Sequence, residues 1–194
     1  MKLKIYSVSD RYIEFLRKDN KLKNVFDNKE GHRTHSRKYL GVVLNKNGYN
    51  YFIPFSSPKD TDYTTDEDGN KVIRKSIIPI IRMISDDSVS GLTELKGTLK
   101  LSNMIPIPDS ELTYYDINIE KDASYKKMVE KEYAFIKSNM DMICKNANII
   151  YNQKTKAHIF YKDKKAPRYI SETIDFIYAE KKCEEFKNLD NWYL

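Results

Sequence analysis

Glycine is scarce, six residues in 194, and none stands in a Walker or Rossmann spacing. The chain therefore offers no glycine-rich cradle for nucleotide phosphates, which argues against a nucleotide-driven enzyme. Cysteine is scarcer still. Cys144 and Cys183 lie far apart, fit neither a disulfide framework nor a metal pair, and read as buried thiols of a reducing compartment. No run of about 18 apolar residues occurs, and the opening alternates like a strand instead of forming a signal-peptide core. Neither a membrane span nor a membrane partner is expected, and the expected location is the cytoplasm. Histidine is limited to His32, His35 and His158. The first two are three residues apart, but Asp27 and Glu30 stand upstream without convincing ligand spacing and His158 is remote, so neither a metal nor another cofactor is expected. Beside a phosphate, His32 or His35 could act as acid or base; otherwise each is an idle loop residue.

What is present is charge and aromatic surface. Thirty-four basic residues against 28 acidic ones give a net charge of +6, an excess that suits a polyanionic partner but equally a lysine-rich soluble protein. At 40% hydrophobic and 12% aromatic residues, a chain of this length can bury a continuous core, and residues 1–194 read as a single domain.

The apolar pattern falls into two regimes. Lys2 to Ser9 alternates as a strand, and Ser9 or Asp10 can cap a short helix carrying Tyr12, Ile13, Phe15 and Leu16. Residues 19–36 form a polar loop. Lys38 to Leu44 and Tyr49 to Phe55 are two β-rich segments joined through Asn45, Lys46, Asn47 and Gly48, where Asn-Gly supplies the positive φ of a tight hairpin turn. Pro58 to Asn70 reads as an exposed loop. Strands are expected at Ile77 to Ile84, Leu92 to Leu101, Met104 to Ile107 and Leu112 to Ile119. From Val129 the spacing changes: Tyr133, Ile136, Met140, Ile143, Ala147 and Ile150 follow on one side of a long helix, with Lys127, Lys131, Lys137 and Lys145 off the stripe. A second helix is expected from Ser171 to about Lys187, burying Ile174, Ile177, Cys183 and Phe186. Strands first and helices last predict an α+β fold with an antiparallel sheet and long helices in the C-terminal third.

Chemistry concentrates where the hairpin's second strand ends, at Ser56, Ser57, Pro58 and Lys59. A strand end is a rigid base with an open front. Cleavage of RNA by its own 2′-hydroxyl needs that proton removed, charge on the phosphorane stabilised and the leaving 5′-oxygen protonated. Hydroxyls and an ammonium can orient and neutralise the phosphate. Antiparallel pairing brings the start of the partner strand, Arg37 and Lys38, beside the same point. A second basic and aromatic group, Tyr125, Lys126 and Lys127 with Lys121 before them, opens the long helix; it suits base stacking and phosphate contact, or is simply a solvated helix end.

These blocks resemble the ToxN/AbiQ family of type III toxin–antitoxin and abortive-infection systems. The resemblance begins at Lys4, Ile5, Tyr6, Ser7, Val8 and Ser9 with Tyr12, Ile13 and Leu16, and continues through Gly41 to Leu44 into Pro54, Ser57, Pro58 and Lys59, where the family writes Ser/Thr-Ser-Pro-Lys. Met104 to Ile107, Tyr125 to Met128, and Phe135, Ile136, Lys137, Asn139, Asp141 and Ile143 follow in the same order, while the chain from Asn146 onward matches only in being helical and basic. The resemblance implies a compact, strongly curved antiparallel sheet with flanking helices, a barrel like that of the Kid/MazF toxins. It also implies a metal-independent endoribonuclease leaving a 2′,3′-cyclic phosphate. By analogy Ser57 and Lys59 are central, Ser56 contacts phosphate, and Arg37 replaces a basic residue usually written as lysine. Arginine does not readily exchange a proton, so an acid or base role there passes to Lys38 or elsewhere. The family further implies a repeated pseudoknot RNA antitoxin that blocks the groove, processing of its precursor by the toxin, and in several members a closed ring of alternating protein and RNA. Tyr125, Lys126, Lys127 and Lys131 are then the expected RNA-binding residues. The competing reading is a non-catalytic RNA-binding module, for which the basic excess and fifteen tyrosines suffice.

Overall fold

The computed structural model describes residues 3–28, 35–86 and 91–190. His32 and Glu30 lie outside them. The first strand, β1 (Lys4–Val8), ends at Ser9, whose hydroxyl accepts from the Tyr12 amide at 3.3 Å and caps α1 (Asp10–Arg17). Ser9 and not Asp10 is therefore the cap. One face of α1 buries Tyr12, Ile13 and Leu16, and the Tyr12 hydroxyl donates to the Pro106 carbonyl at 2.7 Å.

The hairpin forms as its turn chemistry requires. β2 (Lys38–Lys46) and β3 (Tyr49–Ser56) pair antiparallel, with Asn47 at φ 52° and Gly48 at φ 82° between them. Two consecutive positive φ values match the right-handed twist of the flanking strands, and Gly48 takes its value without a Cβ penalty. A register shift between Leu40 and Leu44 bends β2. On its other edge β3 has two neighbours: β8 (Ile105–Pro106) at Tyr51 and Phe52, and β7 (Thr93–Lys100) at Phe55 and Ser56. β6 (Ile80–Asp86) extends the sheet beyond β7, and β9 (Leu112–Tyr114) extends it beyond β1.

The order β6-β7-β3-β2-β1-β9 leaves β6 and β9 as the two ends, and all named pairings are antiparallel. Among the described residues the sheet is thus open and does not close into the expected barrel. The expected strands are also shorter: Ile77 makes only an isolated bridge to Ile80, and Leu112 to Ile119 is strand only to Tyr114. The polar stretch after Pro58 holds a small hairpin instead of an open loop, β4 (Tyr63–Thr65) with β5 (Lys71–Ile73).

The expected long helix is two helices, α2 (Ala123–Ser138) and α3 (Met140–Thr155), because Asn139 leaves helical geometry at φ −122°, ψ 18°. The apolar stripe nevertheless runs on across the break: Val129, Ile136, Ile143, Ala147 and Ile150 are all buried. After the short α4 (Ala157–Phe160), the last expected helix is also split, into α5 (Arg168–Glu172) and α6 (Phe176–Asp190). Ile174, Cys183 and Phe186 are buried as expected, but Ile177 is 51% exposed and Phe176 takes the inner position. α2 packs on β6 and β7, α3 on β2, and α6 on β8 and α1. One hydrophobic cluster runs from Leu3 to Phe186 through these elements.

The last helix is fixed to the hairpin by a buried polar knot. Tyr51 and Tyr151 each donate to Glu180 Oε1 at 2.8 Å, and Asn47 of the turn donates to Glu180 Oε2 at 2.9 Å. Among the described residues no helix is long and apolar enough to cross a membrane.

Candidate active site

A cavity of about 220 Å³ opens where β3 ends and β2 begins. Ser36, Arg37, Lys38, Phe55, Ser56 and Ser57 supply its strand side, Tyr125, Met128 and Glu132 of α2 its helix side, and His35 and Lys96 complete it. Antiparallel register does this: Tyr39 opposes Pro54, so the two residues before Tyr39 meet the two after Pro54. Five of the nine expected site residues, Arg37, Lys38, Ser56, Ser57 and Tyr125, therefore share one cavity.

Their settings differ. Ser56 is buried and held in register against Thr98, whose hydroxyl donates to the Ser56 carbonyl at 3.4 Å; Ser57 is exposed. Arg37 is 2% exposed and turned inward. Its guanidinium donates to the Phe55 carbonyl at 2.6 Å and the Asp27 carbonyl at 3.2 Å, and lies 4.5 Å from the Phe26 ring. It thereby fastens the end of β3. Lys38 is the second cation at this point. Its ammonium donates to Ser7 Oγ at 3.1 Å, sits 4.5 Å over the Tyr115 ring, and has its pKa lowered by burial, against a smaller opposing effect of Glu120.

Lys59 does not line the cavity. It stands exposed on the turn that follows, where Asp62 Oδ2 accepts its backbone N–H at 3.0 Å and the Asp62 amide donates to its carbonyl at 2.9 Å. Asp62 is 1% exposed and lies 3.0 Å from Arg82 of β6, an ion pair whose angle falls outside hydrogen-bond geometry. The turn presenting Lys59 is thus anchored to the sheet. Burial, and then Arg82 and Lys59, lower the pKa of nearby Lys100, while Asp62 opposes them.

At the helix side, Asp122 caps α2 by accepting from the Tyr125 amide at 3.0 Å and also lies 3.2 Å from His35 Nε2. Those two contacts, the Tyr125 amide first, hold its carboxyl below the usual range. His35 stacks on the Tyr125 ring with centroids 3.9 Å apart and planes 3° apart. Lys126 donates to the Asn118 carbonyl at 3.1 Å, Lys127 is exposed and Lys131 half-buried; these three lie outside the cavity lining. His158 is on α4, remote in sequence from both groups. Among the described residues, no group of three or more His, Cys, Asp or Glu is placed to hold a metal ion. Cys144 and Cys183 are free, the first half-buried and the second buried.

Lys96 and Glu132, like Ser36, line the cavity without standing out in the sequence. Lys96, paired with Glu94, sits in a strand that reads as ordinary alternation. Glu132 interrupts the apolar stripe between Val129 and Ile136. Its signal was a carboxyl at a buried helical spacing.

The sequence profile of the ToxN toxin of type III toxin–antitoxin systems matches residues 4–186. The chain is 28% identical to Endoribonuclease ToxN of Bacillus thuringiensis subsp. kurstaki over 191 residues, 96% of this chain and 86% of that protein. To Endoribonuclease AbiQ of Lactococcus lactis subsp. lactis it is 32% identical over 154 residues, 79% of this chain and 76% of that protein. Among solved structures, one concerning selective toxin inhibition by a non-coding RNA pseudoknot aligns at TM-score 0.72 and 28% identity, covering 96% of this chain and 99% of that one. AbiQ, a lactococcal anti-phage endoribonuclease of a type III system, aligns at TM-score 0.72 and 26% identity over 97% of this chain and 99% of its own. With the profile spanning nearly the whole length and every sheet element inside it, the chain belongs to the ToxN toxin family of type III toxin–antitoxin systems and is, like these relatives, an endoribonuclease.

Proposed function

We propose that this chain, acting as one domain in the cytoplasm, cuts RNA at the junction of β2 and β3 by attack of a ribose 2′-hydroxyl on the adjacent phosphorus. The products are a 2′,3′-cyclic phosphate and a 5′-hydroxyl, and no metal takes part. Ser56 and Ser57 orient the phosphate oxygens, Lys59 and Lys38 neutralise them, and Arg37 holds the end of β3 in place. Tyr125, Lys126, Lys127 and Lys131 take flanking nucleotides by stacking and phosphate contact. The observation that carries this is the convergence of Ser56, Ser57, Arg37 and Lys38 on one cavity, with Lys59 on the turn that follows and the His35–Tyr125 stack at its side. A pseudoknot RNA antitoxin occupies the same groove, its repeated precursor is cut by the toxin, and protein and RNA alternate in a closed ring. The likeness to a structure concerning toxin inhibition by a non-coding RNA pseudoknot supports the pseudoknot antitoxin.

Incubation of purified protein with a long RNA in EDTA, with fragment ends mapped beside Lys59→Ala, tests the reading. Site-limited cuts with cyclic-phosphate ends that fall by about 100-fold or more in the variant, while RNA binding persists, are expected. Wild-type cutting by Lys59→Ala overturns the site. RNA that is bound but uncut by the wild type overturns the catalytic reading in favour of a binding module.

A further inference from the structure

We propose that Glu132 is the proton donor to the leaving 5′-oxygen, acting from the helix side of the cavity that Ser56 and Ser57 line; this rests on reading that cavity as the RNA-cleaving site. Glu132 lies on the buried face of α2, between Val129 and Ile136, and is 4% exposed. A carboxyl on such a face is ordinarily paired. Glu132 lines the cavity yet has no hydrogen bond or ion pair with any described residue.

The fold also makes room for it. A Cβ at Gly97, in the interior of β7, would stand 2.1 Å from Glu132 Oε1, so no side chain fits there while the carboxyl keeps its place. Glycine inside a strand weakens it, and an unpaired buried carboxyl destabilises the domain. Two unfavourable choices meet at the carboxyl that reaches the cavity from the helix side, which marks a site kept for chemistry.

The charged groups facing it do not offset the burial. His35, Arg37 and Lys38 lie along the entry to β2 and Lys96 on β7. Arg37 is directed to main-chain carbonyls, Lys38 to Ser7 and Ser36, and Lys96 to Glu94, while Arg82 on β6 faces Asp62. Tyr125 on the same helix is stacked on His35. Burial alone raises the Glu132 pKa to about 8, so at neutral pH the group carries the proton that an acid must give.

The step balances without a co-reactant. The 2′-oxygen forms its bond to phosphorus as its proton passes to solvent water. The bond from phosphorus to the 5′-oxygen breaks, its electron pair stays on that oxygen, and the Glu132 proton completes the 5′-hydroxyl. The carboxylate is reprotonated from water.

Glu132→Gln keeps shape and hydrogen-bonding capacity but has no acidic proton to transfer. Two oligonucleotides spanning a cut site mapped with the wild type are compared, one natural and one with sulfur in place of the bridging 5′-oxygen, whose thiolate leaves unprotonated. The variant should be slower by about 100-fold or more on the natural linkage and within a few-fold of wild type on the sulfur linkage. Wild-type rate should fall above pH 8 on the natural linkage alone, and Glu132→Asp should recover part of the loss. An equal defect on both linkages makes Glu132 structural and overturns the inference, as does an unchanged rate on the natural one. Wild-type cutting of the natural linkage by Lys59→Ala overturns the site reading as well, whereas loss in Lys59→Ala beside an unaffected Glu132→Gln overturns the inference alone.

Discussion

Replacing Glu132 by glutamine should stabilise this protein, and by an amount that depends on pH. The carboxyl takes its proton at about 8 in the folded chain, against 4.5 for an ordinary glutamate. Below 4.5 both folded and unfolded states hold the proton, and the group sets no pH dependence. As pH rises from 4.5 towards 8 only the unfolded chain releases it, so the folded state loses about 1.4 kcal/mol per pH unit. At pH 7 the accumulated loss is roughly 3 kcal/mol, and above 8 it levels off near 5 kcal/mol. Glutamine removes this dependence and leaves every other titrating group in place, so the difference between the two proteins isolates it. Urea unfolding of wild type and Glu132→Gln at pH 4.5, 6, 7 and 8.5 reads it directly. The curves should nearly coincide at pH 4.5 and separate steadily to pH 8. A difference that stays flat across that range would refute the reasoning, because it would mean that Lys38, Lys96 or His35 already supplies a counter-charge to the carboxylate.

Two further substitutions probe how the fold supports the site. Glu180→Ala removes the acceptor shared by Tyr51, Tyr151 and Asn47 and should cost about 2 to 4 kcal/mol by thermal or urea unfolding, while cutting per folded molecule is retained. Arg37→Lys cannot span the Phe55 and Asp27 carbonyls with one ammonium; we expect a loss of roughly 2 kcal/mol, seen as a fall of about 4 to 8 °C in Tm, together with reduced cutting. Cutting that survives intact in Arg37→Lys would show that the end of β3 holds itself.

What the sequence made legible was short-range chemistry. Asn47-Gly48 announced a hairpin because positive φ is a property of the residues themselves, and Ser9 announced a helix start because its hydroxyl can cap the first turn. The register of that hairpin then brought Arg37 and Lys38 to Ser56 and Ser57. What it could not convey was direction. Arg37 reaches the expected place, but its guanidinium points into the main chain, a matter of how Phe26, Asp27 and Phe55 surround it. The break at Asn139 was hidden because the apolar spacing continues across it, and only local backbone geometry ends α2 there. β4 and β5 were hidden because they carry no buried apolar face. Glu132 was passed over because an apolar stripe is counted by what it contains, and the informative residue was the one that did not belong.

The anchoring of Lys59 has a consequence for how such a protein is lost. Its main chain is fastened to Asp62, and Asp62 faces Arg82 on a different strand. On the role proposed for Lys59, selection against an unrestrained toxin can reach the lysine without altering it: a lesion at Asp62 or Arg82 loosens the turn that presents it. The genetic target for escape is wider than the chemical site, and it extends along the strand that holds the turn down.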